Sequence, residues 1–387
     1  MRKAGSSDTS PDDALSTGTT LPARHLARRV PVLLDVWLSR LLGRPPKYLP
    51  ILLLFVTEKC NLRCRMCGVW EHADSAAKAG ELTTDEWKAV IRSAAALRTF
   101  LMSITGGEAL LRPDVFELIR YAKQHGMSVH LCSNGTLLND EIVDEIRESD
   151  LDTVSISIDG HRPEIHDRLR GAGTLDQAVR GIRLIRQRAP SVKVGINFLI
   201  SAENFIDMCE MIPFAEGLDV HQIKFAPIHR NLQHKDKRLE TFGSLVFTDE
   251  HLHSLRIEID KLVEAASKSR LQTTSKRFLD GILDFYRQPD KGFRCYAGHA
   301  VSAINPQGLI APCCDMWGDI SVRDAPLEDI WRSDAFQRLR TCVRTCERPC
   351  WDTTNAELSL RMSVRSTLGG LGQTWRDLRF YFGSGRR

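Results

Sequence analysis

Six short, β-rich apolar runs that alternate with helical patterns constrain the fold of this chain more than any other feature. The segments between the runs repeat apolar residues every three to four positions, as on one face of a helix. The predicted strands are residues 51–57, 99–105, 128–132, 152–158, 192–200 and 220–226, and the predicted helices are 84–97, 113–125, 139–148, 174–189 and 203–215. This alternation predicts an α/β fold with a parallel sheet covered by helices, either open or curled into a partial barrel.

The alternation also predicts where a ligand binds. In parallel α/β sheets, ligands lie beyond the carboxyl ends of the strands. The residues that directly follow each predicted strand are therefore the first place to search for a functional site.

The rest of the chain divides by composition. Residues 1–22 are polar and predict a disordered tail, 23–50 contain an amphipathic helix at 26–42, and a longer helix is expected at 248–270. The expected units are therefore a barrel at 51–290, a small cysteine-rich module at 291–356 and a basic amphipathic tail at 357–387. The module has little apolar periodicity, so we expect it to be loop-rich and to need a metal to fold.

Charge and hydropathy exclude several classes. Of 387 residues, 42% are apolar and 26% are charged, which is typical of a globular protein. No apolar run approaches the roughly 20 residues that cross a membrane, and the first 20 residues do not resemble a signal peptide, so we expect a cytoplasmic protein. The two ends are basic whereas the middle is mildly acidic, so we expect no nucleic-acid partner.

Cys60, Cys64 and Cys67 follow the first predicted strand with C-x3-C-x2-C spacing. Packed apolar cysteines are a poor explanation because charged and polar residues surround them. Zinc is a stronger alternative, with His72 as the nearest fourth ligand, although a structural zinc site needs four ligands. Three thiolates can also hold an Fe4S4 cluster and leave its fourth iron without a protein ligand.

The segment TEKCNLRCRMC, residues 57–67, resembles the signature of the radical S-adenosylmethionine (SAM) superfamily. The resemblance extends over about residues 51–230 and implies a partial (β/α)6 barrel of the TIM type. In that family SAM chelates the open iron of a [4Fe-4S] cluster. An electron from the cluster then cleaves SAM to a 5′-deoxyadenosyl radical, which abstracts hydrogen from a substrate.

Further motifs match the positions that bind SAM in this family. Gly106, Gly107 and Glu108 follow the second predicted strand and match its GGE motif, which receives the SAM ammonium group. The family pattern also implies contacts to SAM from Ser133 in CSNGT, Ser157 in SISIDG, Arg170, Asn197 on the fifth strand, and Met66, which stands where many members have an aromatic residue beside the adenine.

A second cysteine group, in the module at 291–356, resembles the auxiliary iron–sulfur modules called SPASM or, in a shorter form, twitch domains. The resemblance implies one auxiliary [4Fe-4S] cluster, with a hairpin turn at Gly308. The expected ligands are Cys295, Cys313, Cys346 and Cys350; we expect Cys342 to be spare, Cys314 a bystander, and Cys132 and Cys209 part of the core. A four-thiolate zinc site is the alternative.

The resemblance implies a modifying or biosynthetic oxidoreductase whose auxiliary cluster assists oxidation or substrate binding. A small molecule, a sugar or a lipid-linked compound is the first substrate expectation, because residues 1–50 look too short for a peptide-recognition domain. The alternatives are a peptide-modifying maturase and a non-catalytic iron–sulfur or zinc protein. We also expect a reducing partner such as flavodoxin or ferredoxin. The terminal segments 26–42 and 361–387 either contact a membrane surface or pack on the barrel.

Overall fold

The computed structural model describes residues 23–69, 80–228, 243–287, 292–348 and 350–363. All six predicted strands are present and pair in parallel, in chain order. They are β1 (Ile51–Phe55), β2 (Leu101–Thr105), β3 (Ser128–Ser133), β4 (Thr153–Ser157), β5 (Lys193–Ile200) and β6 (Gln222–Pro227). The predicted tail 1–22, His72 and residues 364–387 of the predicted basic tail lie outside the described residues.

Helices precede β1 and connect the six strands. They are α1 (Ala23–Leu42), α2 (Thr84–Ala96), α3 (Val115–Gln124), α4 (Asp140–Glu148), α5 (Pro163–Arg170), α6 (Thr174–Arg188) and α7 (Met211–Gly217), with 3-10 helices at Ala109–Leu111 and Phe205–Glu210. The prediction of a single helix at 203–215 is wrong, because the 3-10 helix Phe205–Glu210 occupies the first half of that range. The sequence prediction also missed α5, an eight-residue helix with Pro163 in its first turn.

The sheet is longer than six strands. Two helices, α8 (Asp249–Lys268) and α9 (Lys276–Arg287), flank a short strand β7 (Gln272–Thr273) that pairs with β6. At the opposite edge, β8 (Val301–Ile304) pairs in parallel with β1 and forms an antiparallel hairpin with β9 (Ile310–Ala311). The hairpin that the sequence assigns to the cysteine-rich module therefore continues the barrel sheet, directly beside the strand that leads to Cys60.

The two faces of the sheet differ in character. Apolar residues such as Leu54 and Ile104 are buried beneath the helices, whereas the inner face carries many small and polar side chains on β2 to β6 and the apolar Ile51, Leu53 and Phe55 on β1. On that inner face, His130 pairs with the hydroxyl oxygens of Ser103 and Ser155 at 2.9 and 2.8 Å. Burial lowers the pKa of His130 to about 3, so its ring is neutral at physiological pH.

The cysteine-rich segment contains more regular structure than predicted. It forms three short helices, α10 (Leu327–Arg332), α11 (Asp334–Arg344) and α12 (Ala356–Arg361). Trp331 and Phe336 are fully buried against Arg340, whose Cζ lies 4.3 and 4.6 Å from their ring centroids. Arg340 donates hydrogen bonds of 2.6 Å to the carbonyl oxygens of Gly298 and Trp331. Most of residues 291–356 lie in loops and turns, as expected, but the sequence prediction missed α10 and α11, which pack around the buried Arg340.

Candidate active site

The loop after β1 carries the three cysteines at the carboxyl edge of the sheet, where the strand pattern predicts a ligand site. Cys64 is buried, and Cys60 and Cys67 are half-buried. Burial raises the pKa of Cys60, and it raises the pKa of Cys64 to about 11. Thiols in such surroundings lose their protons when a cationic metal centre binds them.

Contacts from three neighbouring loops hold this cysteine loop in place. The Arg65 backbone N–H donates to Leu169 O at 2.9 Å, and the Arg65 guanidinium makes two 2.8 Å bonds to the carboxylate of Glu203. On the other side, the Asn134 side-chain amide donates to Asn61 Oδ1 at 2.9 Å. The loops after β3 and β5 and the end of α5 therefore fix the position of the cysteines.

The two glycines of the GGE motif pack directly against the backbone of the cysteine loop. The N–H of Gly107 donates to Thr57 O and the N–H of Glu108 donates to Lys59 O, both at 2.8 Å. A Cβ on Gly107 would lie 2.3 Å from Lys59 O, and one on Gly106 would lie 2.4 Å from Thr57 O. Gly106 also has a φ of +150°, which non-glycine residues rarely adopt. Only glycines allow this close approach of the two loops.

Glu108 joins the GGE turn to the loop after β3. Its side chain is 1% exposed; Oε2 accepts the Asn134 N–H at 2.7 Å, and Oε1 accepts the Leu110 N–H at 3.2 Å. Burial raises the pKa of Glu108, while these backbone bonds and the side chain of Ser133 favour the charged form. Each carboxylate oxygen has a second lone pair for a further donor, and the contact of Glu108 with the SAM ammonium group stays a prediction.

The half-buried Arg170 forms an ion pair with a buried carboxylate that the sequence reasoning missed. Its Nε lies 2.5 Å from Oδ2 of Asp159, which is fully buried and whose Oδ1 accepts the N–H of Leu199 at 2.8 Å. Burial alone would lower the pKa of Arg170, but the charges of Asp159 and Cys64 raise it. The thiol of Cys64 lies 3.8 Å from Arg170 O, so Arg170 adjoins the cysteine loop. Asp159 is the second residue after β4 and directly follows the predicted strand 152–158, where the strand rule could have found it.

Ser157, Asn197 and Lys224 form one row across the inner face of the sheet. Ser157 is paired with Asn197, and Asn197 is paired with Lys224, in the registers of β4–β5 and β5–β6. The positive charge of Lys224 acts on two neighbours. It adds to burial in lowering the pKa of His130, and it lowers the pKa of Cys132, which burial raises. A cation therefore lies at the inner face next to two predicted SAM-binding positions, and the sequence reasoning did not identify it.

Ser133 and Met66 both contact neighbouring residues of the protein. Ser133 Oγ accepts the Gly135 N–H at 3.0 Å within the loop after β3. Met66 is buried in a small apolar cluster with Cys64, Leu169, Ile228 and Leu245. The predicted contacts of both residues with SAM stay predictions.

One cysteine of the C-terminal segment precedes the β8–β9 hairpin in the chain, and the others follow it. Cys295 is buried and packs in one cluster with the half-buried Cys313. Cys346 and Cys350 are half-buried in the segment after α11, whereas Cys342 is exposed on that helix. The Arg348 side chain donates to the carbonyl oxygen of Asp315, which links the segment of Cys346 and Cys350 to the loop after Cys313.

The donor set suits iron–sulfur clusters. Thiolates are the ligands that such clusters require, and both groups consist of cysteines. The first group follows the carboxyl end of β1, whereas Cys295 and Cys313 pack near Ile51 and Leu53 in the first half of that strand. Among the residues that the structure describes, no three His, Cys, Asp or Glu side chains form a group that could hold one metal ion. Which of the cysteines bind each cluster stays a prediction.

Two other cysteines differ from expectation. Cys132 is half-buried on the inner face of the sheet, and Cys209 is half-buried in a 3-10 helix, with its thiol 3.6 Å from Glu258 O. The prediction that both belong to the core was therefore too strong.

Comparison with known proteins agrees with the fold and the motifs. The profile of the radical SAM superfamily matches residues 54–214, and the profile of the SPASM iron–sulfur cluster-binding domain matches residues 295–352. An AdoMet-dependent heme synthase of Oleidesulfovibrio alaskensis is 30% identical over 301 residues, which cover 74% of this chain and 75% of that protein. A PqqA peptide cyclase of Gluconobacter oxydans is 26% identical over 77% of this chain and 82% of that protein.

A solved structure shares the fold. The crystal structure of Streptococcus suis SuiB superposes with a TM-score of 0.61 at 15% identity, covering 84% of this chain and 71% of that chain. The two matched profiles together define a radical-generating iron–sulfur enzyme. The chain belongs to the radical SAM superfamily and carries a C-terminal SPASM domain. It is therefore a radical SAM enzyme. Its cofactors are SAM, a [4Fe-4S] cluster and additional iron–sulfur clusters in the SPASM domain.

Proposed function

We propose that Cys60, Cys64 and Cys67 hold the SAM-binding cluster and that the enzyme oxidises a peptide substrate by hydrogen abstraction. When bound, the cluster supplies the electron that cleaves SAM. The observation that carries this proposal is the tight packing of Gly106 and Gly107 on the cysteine loop, because it fixes Glu108 beside the cysteines. Arg170 reaches the same loop from the other side.

The choice of a peptide rests on the relatives. The peptide cyclase aligns over most of this chain and most of its own length, which favours the maturase alternative over the small-molecule, sugar or lipid-linked substrates expected first. A tetrapyrrole is the second candidate, because the heme synthase is similar over three quarters of both chains.

Lys224 gives the site a means to select its substrate. The inner face near Asn197 and Lys224 offers an amide and a cation, which together suit a carboxylate. We propose that Lys224 positions a carboxylate-bearing group of the substrate so that the reacting C–H bond faces SAM. Holding the reacting atoms in place contributes a large part of the rate in such reactions.

Cys295, Cys313, Cys346 and Cys350 are the proposed ligands of the auxiliary cluster. Such a cluster, when bound, can accept the second electron of a two-electron oxidation whose first step removes a hydrogen atom. A flavodoxin or ferredoxin is the proposed source of the electron for SAM cleavage, and the cytoplasm is the proposed compartment.

The substrate class is tested by co-incubation under anaerobic conditions. Reconstituted enzyme, SAM and dithionite are mixed with peptides encoded beside the gene or with an iron porphyrin bearing propionates. Formation of 5′-deoxyadenosine together with a mass loss of two hydrogens from a peptide supports the proposal. Modification of the porphyrin alone favours the second candidate and contradicts the first.

Two variants test the role of Lys224. We expect Lys224→Gln to raise the KM for the substrate at least tenfold. The variant should still form 5′-deoxyadenosine when no substrate is present. Lys268→Gln, which removes an exposed lysine from α8, is the matched control. Equal KM values for the two variants would contradict the positioning role.

A further inference from the structure

Helix α1 packs on the protein with its polar side inwards. Asp35 and Ser39 are buried together with Val32 and Val36. Asp35 Oδ2 accepts the backbone N–H of Lys47 at 2.7 Å, so its buried carboxylate has a partner. The apolar residues on the opposite side of the helix are therefore exposed to solvent.

The outward side of α1 forms one continuous apolar stripe. The outer stripe consists of Val30, Leu33, Leu34, Trp37 and Leu41, whose spacing places them on one face of a helix. Val30, Leu34 and Leu41 are 54%, 53% and 53% exposed. Single exposed apolar residues are common, but a contiguous stripe indicates an interaction surface.

The outer stripe leads into a basic pocket. Trp37 and Leu41 line a cavity of about 940 Å³ together with four arginines, which we call the arginine pocket: Arg40, Arg277, Arg294 and Arg344. No aspartate or glutamate among the described residues lines this cavity.

Among the described residues, part of this charge has no counter-ion. In the described part of the chain, no carboxylate forms a salt bridge with Arg40, Arg294 or Arg344. Phe293 and Tyr296 also line the pocket, so aromatic rings and guanidinium groups lie side by side. Aromatic residues beside arginines and an apolar helix face are typical of proteins that sit at a lipid–water interface.

We propose that the outer stripe and the arginine pocket dock this enzyme on an anionic phospholipid surface. The leucines would enter the boundary between headgroups and acyl chains, and the arginines would bind lipid phosphates. Charge selects this occupant. An apolar stripe alone fits many partners, whereas an adjoining pocket whose described lining has four arginines and no carboxylate favours an anionic amphiphile. The inference is independent of the enzyme's substrate.

Co-sedimentation of the full-length enzyme with vesicles tests the proposal. We expect binding to phosphatidylglycerol vesicles at low salt, weaker binding as salt is added, and much weaker binding to phosphatidylcholine vesicles. The double variant Leu34→Ser/Leu41→Ser should bind at least tenfold more weakly. Arg344→Gln should bind about fivefold more weakly.

Matched controls separate docking from misfolding. Ile206 and Ile257 are also exposed but lie elsewhere, so Ile206→Ser and Ile257→Ser should bind as the wild type does. All variants should keep the cluster absorbance and the rate of 5′-deoxyadenosine formation. Wild-type protein that stays in the supernatant at low salt, or stripe variants that bind as tightly as the wild type, would overturn the proposal. Binding of a glutamate-rich peptide without vesicle binding would overturn it in favour of a protein partner.

Discussion

Replacing Gly107 by alanine tests whether the packing of the GGE turn sets the geometry of the active site. A Cβ there would lie 2.3 Å from Lys59 O and 2.7 Å from Glu58 O, and ordinary contact begins at 3.4 Å. Both obstacles are backbone atoms, which cannot rotate away as a side chain can. The cysteine loop must therefore move about 1 Å from the GGE turn.

A shift of this size should affect chemistry more than folding. It would weaken the 2.8 Å bonds that Gly107 and Glu108 donate to the cysteine loop. A misplacement of about 1 Å at a reacting centre costs on the order of 100-fold in rate. We therefore expect Gly107→Ala to form 5′-deoxyadenosine about 100-fold more slowly at saturating SAM.

The assay compares anaerobic 5′-deoxyadenosine formation per reconstituted cluster in Gly107→Ala, Gly217→Ala and the wild type. Gly217 ends α7, and a Cβ there meets no atom within 4 Å, so this control should keep the wild-type rate. Iron content and thermal unfolding confirm that the variants carry their clusters and fold. A Gly107→Ala rate within threefold of the wild type would refute the argument from packing.

Three further predictions concern stability, each measured by anaerobic denaturant unfolding. Asp159→Asn leaves the buried Arg170 cation without its counter-charge and should lower the free energy of unfolding by about 3 kcal/mol or more; an unchanged value would contradict the ion pair. The pKa of buried His130 is about 3 in the folded protein against an ordinary 6.5, so protonation below pH 6.5 favours the unfolded chain. Between pH 7 and pH 5 the free energy of unfolding of the wild type should therefore fall by about 2 kcal/mol more than that of His130→Gln. Parallel pH profiles of the two proteins would contradict this. Arg340→Met leaves two buried carbonyl oxygens without their donor and should cost about 3 kcal/mol; a smaller loss than 1 kcal/mol would show that these bonds contribute little.

Features set by short stretches of sequence could be predicted. The six strands follow from their local apolar pattern, and Thr83 followed three residues later by Glu86 indicates a capping box at the start of α2. Its two bonds are present: Glu86 N–H donates to Thr83 Oγ1 at 3.3 Å, and Thr83 N–H donates to Glu86 Oε2 at 2.7 Å. Such interactions join residues three positions apart, so the sequence displays them directly.

Features set by distant residues could not be predicted. The pairing of β8 with β1 joins Leu53 to Ala303, and no local pattern indicates which edge the hairpin will extend. Arg340 resembles a surface residue in the sequence, yet it is fully buried because two carbonyl oxygens and two aromatic rings surround it. Burial of a charged residue depends on partners that only the folded chain brings together.

The orientation of α1 also escaped prediction, for a different reason. The sequence shows that its polar residues share one side, and the usual expectation is that such a side faces water. Here the side with Asp35 and Ser39 faces the protein, where the Lys47 N–H satisfies the carboxylate. Periodicity defines the two sides of a helix, but the partners available in the fold decide which side is buried.

The central claim is that Cys60, Cys64 and Cys67 hold a cluster whose remaining iron SAM can reach. Electron paramagnetic resonance of the anaerobically reconstituted, dithionite-reduced enzyme, recorded with and without SAM, tests it most directly. We predict that SAM changes the cluster signal, that 5′-deoxyadenosine accumulates in the same sample, and that Cys64→Ala loses both effects. An intact cluster whose signal does not respond to SAM, in a sample that forms no 5′-deoxyadenosine, would contradict it.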